Sequence, residues 1–392
     1  MNKHTARWGY LAVGVGAMLF AGVLYAWSIL KAPLGAEFGW GASALALNFT
    51  LAMGFFCVGG LLGAKISGKA GHRAALLLAG ALAAAGFGLT ALLDGSTVLW
   101  LYVTYGALAG TGIGIGYNVI IGTVSGWFPD KKGLCSGCLM MGFGASALVL
   151  GNGANALFHS SVGWRGTFAI VGGAICLVLW LAGLLLKKSA GAKAACDAQA
   201  GCTPGQMLRK PAFWMAFCAI SFLAAVGSSV ISFARDLALS VQAPEALAVS
   251  LVGVLSVCNG LGRILTGALF DALGRRRTML LANVFTVCAA AVTLLAVAVG
   301  SLGLCIGGLC LTGLSYGACP TITAAFTSSF FGMRHFSSNM AIMTFTVLGG
   351  SLIATVSNKI LEITGGYTAA FGMLLALTAV ALALNLLIKQ PE

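Results

Sequence analysis

The residue carrying the most chemistry in this sequence is an arginine set among apolar neighbours. Arg263 falls inside the run 246–270, which holds no acidic residue. A cation at mid-bilayer depth costs roughly 2.5–3.5 kcal/mol even on a lenient insertion scale, so it is a functional candidate by default. Each of the nine Asp and Glu residues lies in an expected loop or terminus. We therefore expect an anionic ligand to balance Arg263, with pairing to helix carbonyls as the structural alternative. Asn259, four residues earlier, shares its helical face and is placed to hydrogen-bond the same ligand. Tyr25, Tyr117 with its neighbour Asn118, and Tyr316 are polar-tipped side chains inside further apolar runs. Taken singly, each tyrosine is explained as well by core packing or by anchoring at an interface.

Other chemistries find no support. His4, His72, His159 and His335 sit at or beyond the ends of apolar runs, and no HExxH, P-loop or Ser-His-Asp arrangement is present. No enzyme activity, cofactor or metal is expected, and without a P-loop ATP is not a direct energy source. Gly106, Gly110 and Gly114 superficially suggest a dinucleotide loop, but that fingerprint needs a preceding strand. Their spacing of four puts them on one helical face, as close helix packing requires. Cys57, Cys138, Cys176, Cys218, Cys258 and Cys310 lie within apolar runs without metal-type spacing and are expected to be small buried hydrophobes.

The elements that position these residues are membrane spans. The 392 residues are 59% hydrophobic and 8% charged, against roughly 25% charged in a soluble protein. Charge-free runs near the 20 residues that cross a bilayer recur throughout. The expected spans are 9–30, 42–64, 74–93, 98–126, 133–157, 166–186, 211–233, 246–270, 278–299, 303–329, 336–358 and 367–388. The first is too long for a signal peptide and is expected to remain in the protein. The fold class expected is an all-α membrane protein of twelve transmembrane helices in two pseudo-symmetric six-helix halves, 1–186 and 211–392, joined by a flexible hydrophilic linker, 187–210. The net charge of +13 divides unevenly. Seventeen Lys and Arg fall on the side of the termini and four on the other, which places both termini in the cytoplasm of a multi-pass protein of the cell (inner) membrane. The basic excess is thus a topology signal, and no nucleic acid is expected as a partner.

The halves align at a single offset of 203 residues. Gly71-His72-Arg73 falls on Gly274-Arg275-Arg276, Gly110 on Gly313, Gly114 on Gly317 and Phe128 on Phe331. The stretch Gly267-Ala268-Leu269-Phe270-Asp271-Ala272-Leu273-Gly274-Arg275-Arg276 resembles the G-x-x-x-D-R-x-G-R-R loop of the major facilitator superfamily. Its first-half counterpart, Ala64 to Arg73, keeps Lys69 and Arg73 but has Gly68 where the acid belongs. We expect Gly267, Asp271, Gly274, Arg275 and Arg276, with Lys69 and Arg73, to form a conformational latch on helix ends. That resemblance implies a substrate site near mid-membrane between the halves, lined by spans one, four, seven and ten.

A narrower resemblance rests on Tyr25-Ala26-Trp27-Ser28 with Pro33-Leu34, Trp127-Phe128-Pro129-Asp130-Lys131-Lys132-Gly133-Leu134, Met207-Leu208-Arg209-Lys210-Pro211 with Phe213-Trp214, and Asn259-Gly260 with Arg263. In order and together they are similar to the oxalate/formate antiporter family and the related monocarboxylate transporters. The resemblance implies that Arg263 binds carboxylate, with Tyr25, Tyr117 and Tyr316 lining the cavity around it. Oxalate carriers place a Lys in span eleven where this chain has Val347, which counts against dicarboxylates. Monocarboxylate transporters often have an Asp at the position of Asn259, leaving Asp236, near the outer end of span seven, as the weaker candidate for proton coupling. The expectation is a monomeric secondary carrier of small organic monocarboxylates, working by alternating access as a proton symporter or an anion exchanger. The alternative is an exporter of larger amphipathic compounds.

Overall fold

The computed structural model describes residues 3–187 and 201–388, and within them every regular element is a helix. Among the described residues, eleven helices are long and apolar enough to cross a membrane. One of them, Ser250–Val299, is 50 residues long and turns at Gly274 (φ 75°, ψ 173°). Since about 20 residues suffice for a crossing, this helix supplies two. Gly274 makes the turn because an L side chain is strained at that φ.

The twelve spans are α1 (Ala6–Phe38), α2 (Ala42–Lys69), α3 (Gly71–Ala91), α4 (Val98–Ser125), α5 (Lys132–Phe158), α6 (Gly163–Leu185), α7 (Pro211–Ser240), α8 (245–273), α9 (275–299), α10 (Leu302–Phe330), α11 (Phe336–Thr364) and α12 (Tyr367–Leu387). Several are irregular. α1 tightens to a 3₁₀ segment over Gly22–Ala26, α4 and α5 widen to π-helix over Tyr102–Ala109 and Ala147–Gly151, and α11 breaks at Thr344. Such segments often mark functional sites and hinges. Leu99, Leu177, Leu184 and Leu387 are exposed on the outer faces, as lipid contact demands.

Two compact units emerge. One comprises Met1–Pro129, Leu139–Ala200 and Met333–Ile342, the other Asp130–Cys138, Gly201–Gly332 and Met343–Glu392. The start of α5 thus clusters with the second unit and the start of α11 with the first, an exchange absent from the division at 187–210 expected from sequence. Of that expected flexible linker, 188–200 lies outside the described residues. The remainder holds a short helix, Pro204–Arg209, because Thr203 and Gln206 form a reciprocal capping box and Pro204 occupies the first turn. Lys188, Lys193 and Lys389 also lie outside the described residues.

Glycines set the helix crossings, and the same crossing is built twice. In the first unit, side chains at Gly59, Gly110 and Gly114 would collide with the carbonyls of Thr111, Ala52 and Phe56, so α2 and α4 meet backbone to backbone. In the second, side chains at Gly262, Gly313 and Gly317 would collide with those of Leu314, Leu255 and Asn259. Each contact recurs at the offset of 203, so α8 and α10 repeat the crossing of α2 and α4. Lipid tails are as apolar as leucine, and packing of this kind, rather than hydrophobic contrast, holds helices together in a bilayer. The cysteines expected to be buried are less so. Cys57 is buried, whereas Cys138, Cys176, Cys218, Cys258 and Cys310 are partly exposed, an arrangement an apolar solvent tolerates.

Candidate functional site

In the second unit the duplicated crossing carries polar residues. Gly317 lets α10 sit against the carbonyl of Asn259 and the amide of Arg263, and Gly137 lets α5 sit against the Arg263 carbonyl. The Arg263 backbone is thereby clamped between two helices, and its carbonyl also accepts from Thr321 Oγ1 at 3.2 Å. Its side chain is only 2% exposed and is the largest of the fully buried ones. Nε donates to Asn259 Oδ1 at 3.2 Å. Asn259 therefore fixes the plane of the guanidinium through Oδ1, and an oriented fork suits a carboxylate. Tyr316 rests on α7, its ring occupying the space that a side chain at Gly227 would need. One turn on, Pro320 has no N–H to offer the carbonyl of Tyr316, a local weakness of α10 beside the site.

The equivalent crossing in the first unit carries rings. Phe56 stands where the second unit has Asn259 and Gly60 where it has Arg263, so one backbone geometry serves two chemistries. Tyr117 packs edge-on to Phe56 and Phe143, with ring centroids 4.9 and 5.0 Å apart, and its hydroxyl donates to Met140 Sδ at 3.2 Å. Tyr25 meets Phe143 at 5.3 Å, because Gly22 lets α1 touch the Phe143 carbonyl one turn away. Tyr25 and Tyr117 are thus joined through Phe143, which sequence reasoning missed, as it missed Thr321. Phe143 had only flanking glycines to signal it, and Thr321 only its place after Pro320. Asn118 diverges from the cluster: about 100° of helix rotation from Tyr117, it donates from Nδ2 to the Ser337 carbonyl at 3.0 Å in the first turn of α11.

Asp236 lies outside these buried sets. It follows the irregular residue Phe233 in α7, its side chain is 68% exposed, and it stands 3.7 Å from Arg235. An exposed pair of this kind contributes little. The latch residues divide too. Asp271 accepts from the amides of Gly133 and Leu134, at 2.8 Å each, placing a carboxylate on the positive amino-terminal end of α5. Gly267 allows that approach by packing on the Gly133 carbonyl. Arg275 stacks over Phe330 and Phe326 at 5.2 and 5.8 Å, while Arg276 is exposed. In the first repeat Lys69 and Arg73 are exposed, and the loop is held by a contact of 2.8 Å between His72 Nε2 and the Leu186 carbonyl.

Comparison with known proteins agrees with this architecture. The oxalate:formate antiporter of Oxalobacter formigenes is 30% identical over 90% of this chain and 85% of its own length. Human monocarboxylate transporter 12 is 25% identical over 84% of this chain and 70% of its own. The crystal structure of a variant of the Escherichia coli fucose:proton symporter superposes with a TM-score of 0.73 over 97% of this chain and 98% of that one, at 14% identity, a likeness of fold alone. The Major Facilitator Superfamily domain matches residues 11–355. With twelve spans, a helix crossing repeated at a constant offset and a family match covering most of its length, the chain belongs to the major facilitator superfamily of membrane transporters.

Proposed function

We propose that this transporter carries small organic monocarboxylates across the cell (inner) membrane by alternating access, with Arg263 as the carboxylate anchor and both termini in the cytoplasm. The observation that carries the proposal is the Arg263 guanidinium, 2% exposed within α8 and oriented by Asn259. A cation kept at such depth against its insertion cost is retained for a ligand or a conformational step. The similarity to an antiporter whose name includes formate supports a carboxylate as that ligand. Tyr316 in the second unit and Tyr25 and Tyr117 in the first are proposed to supply hydroxyls to substrate. Asn118, bound to Ser337, is assigned a structural role. The Asp271 contact with the amino terminus of α5 is proposed to be a latch that is made in one conformation and released in another.

The two modes of coupling are separated by labelled lactate uptake into proteoliposomes. A proton symporter concentrates lactate when the outside is acidic and the lumen is empty. An exchanger does so only when the lumen is preloaded with carboxylate. Absence of lactate and formate uptake under both conditions would overturn the proposal.

A further inference from the structure

On the outer face of the second unit, α8, α9 and α10 enclose a groove of about 280 Å³ that takes no part in the arginine site. Its floor is made of small residues, Gly262, Ala282 and Ala318, and its walls of Leu265, Leu269, Leu281 and Phe285. The wall residues are exposed, Leu265 to 55%. Two of its three hydroxyls are turned into the protein. Thr278 Oγ1 donates to the carbonyls of Gly274 and Leu269, and Ser315 Oγ bonds Thr286 Oγ1 at 2.6 Å. With Thr266 as the one remaining polar side chain in its lining, the groove is mostly hydrocarbon. From Thr278 to Phe285 it runs about 10 Å along α9 at 1.5 Å per residue, about two thirds of the ~15 Å hydrocarbon depth of one leaflet.

One end is strongly basic. Arg277 adjoins Thr278 and stands one turn before Leu281, on the face of α9 that lines the groove. Arg276 and Arg277 are both exposed and make no ion pair among the described residues, whereas Arg275 is engaged with Phe326 and Phe330 and Asp271 with the start of α5. An apolar groove that takes most of an acyl chain and opens beside two exposed guanidiniums fits one class of molecule. We propose that the groove binds an anionic glycerophospholipid, with one acyl chain between α8, α9 and α10 and the phosphate on Arg276 and Arg277. Each arginine near an anionic headgroup favours it by about fivefold, so the pair should prefer an anionic to a zwitterionic lipid by roughly thirtyfold.

The test is a competition read by native mass spectrometry. The full-length protein in detergent is mixed with equal amounts of phosphatidylglycerol and phosphatidylcholine bearing the same acyl chains. Wild-type protein should retain phosphatidylglycerol by the stated margin. Arg277→Gln should cut the preference about fivefold, and Ala282→Phe, which fills the floor, should reduce retention of both lipids. Soluble glycerol phosphate should not displace the bound lipid. Equal retention of the two lipids by the wild-type protein overturns the proposal, as does displacement by glycerol phosphate. An undiminished complex in Ala282→Phe places the lipid elsewhere and overturns it too.

Discussion

Removal of the Arg263 side chain gives structural and substrate-binding roles opposite signatures. If the guanidinium mainly tied α8 to its neighbours, Arg263→Ala would lower the melting temperature, because the 3.2 Å bond to Asn259 and the packing of a fully buried side chain vanish. If it is kept for substrate, Arg263→Ala relieves roughly 2.5–3.5 kcal/mol of insertion cost, which offsets the lost packing, so thermal stability stays within a few degrees of wild type. Binding then fails by the penalty for a buried carboxylate without its partner, about 3–5 kcal/mol, or roughly two to four orders of magnitude in affinity. Arg263→Lys retains charge but gives up the planar fork and the Nε donor to Asn259. A lost hydrogen bond to a charged group is worth about 1.5–3 kcal/mol, so roughly ten- to hundredfold weaker binding is expected. The assay pairs melting in detergent with calorimetric titration of lactate. A melting temperature lowered by ten degrees or more with lactate affinity intact would refute the reasoning.

Val347, half-buried in α11, offers no second cation for a dianion, so Val347→Lys should raise oxalate uptake and depress lactate uptake, as competition between the labelled anions would show. Asp271→Asn removes a carboxylate from the first turn of α5 and should weaken that contact by about 1–2 kcal/mol, shifting the conformational equilibrium seen by spin-label distances across it without abolishing lactate binding. Gly317→Val would drive a side chain into the Asn259 carbonyl and cost about 1–3 kcal/mol or more, measurable as lost thermal stability together with lost uptake. Tyr117→Phe removes only the hydroxyl that meets Met140. Stability should change by less than about 1.5 kcal/mol, and a fall in lactate affinity beyond that would mark a direct substrate contact.

The spans were legible because a bilayer imposes length and apolarity on each crossing, and those constraints act on composition. The crossing of α8 with α10 was half legible. The offset that aligned Gly110 with Gly313 and Gly114 with Gly317 is the one along which the backbone contacts repeat. Arg263 stood out because charge at depth is rare, and its bond to Asn259 follows from their spacing of four residues. What depends on rotation about a helix axis was not legible. Tyr117 and Asn118 are neighbours in sequence and look alike as site candidates, yet one joins the aromatic cluster while the other bonds Ser337. Contacts between distant spans were equally hidden. Nothing in the sequence joins Asp271 to the amides of Gly133 and Leu134, and nothing marks Phe143 as the ring between Tyr25 and Tyr117. Asp236 stands out in sequence by charge and rough depth, and it is exposed because α7 carries it past the irregular residue Phe233 toward its carboxyl-terminal end.

The central claim is that Arg263 selects a single carboxylate, and the most direct measurement compares labelled lactate, its neutral analogue lactamide and oxalate in the same proteoliposomes, with Arg263→Ala alongside. Saturable lactate uptake that is absent in the variant, with lactamide excluded and oxalate carried poorly, is the predicted result. Uptake of lactamide equal to that of lactate, or lactate uptake undiminished in Arg263→Ala, would contradict it.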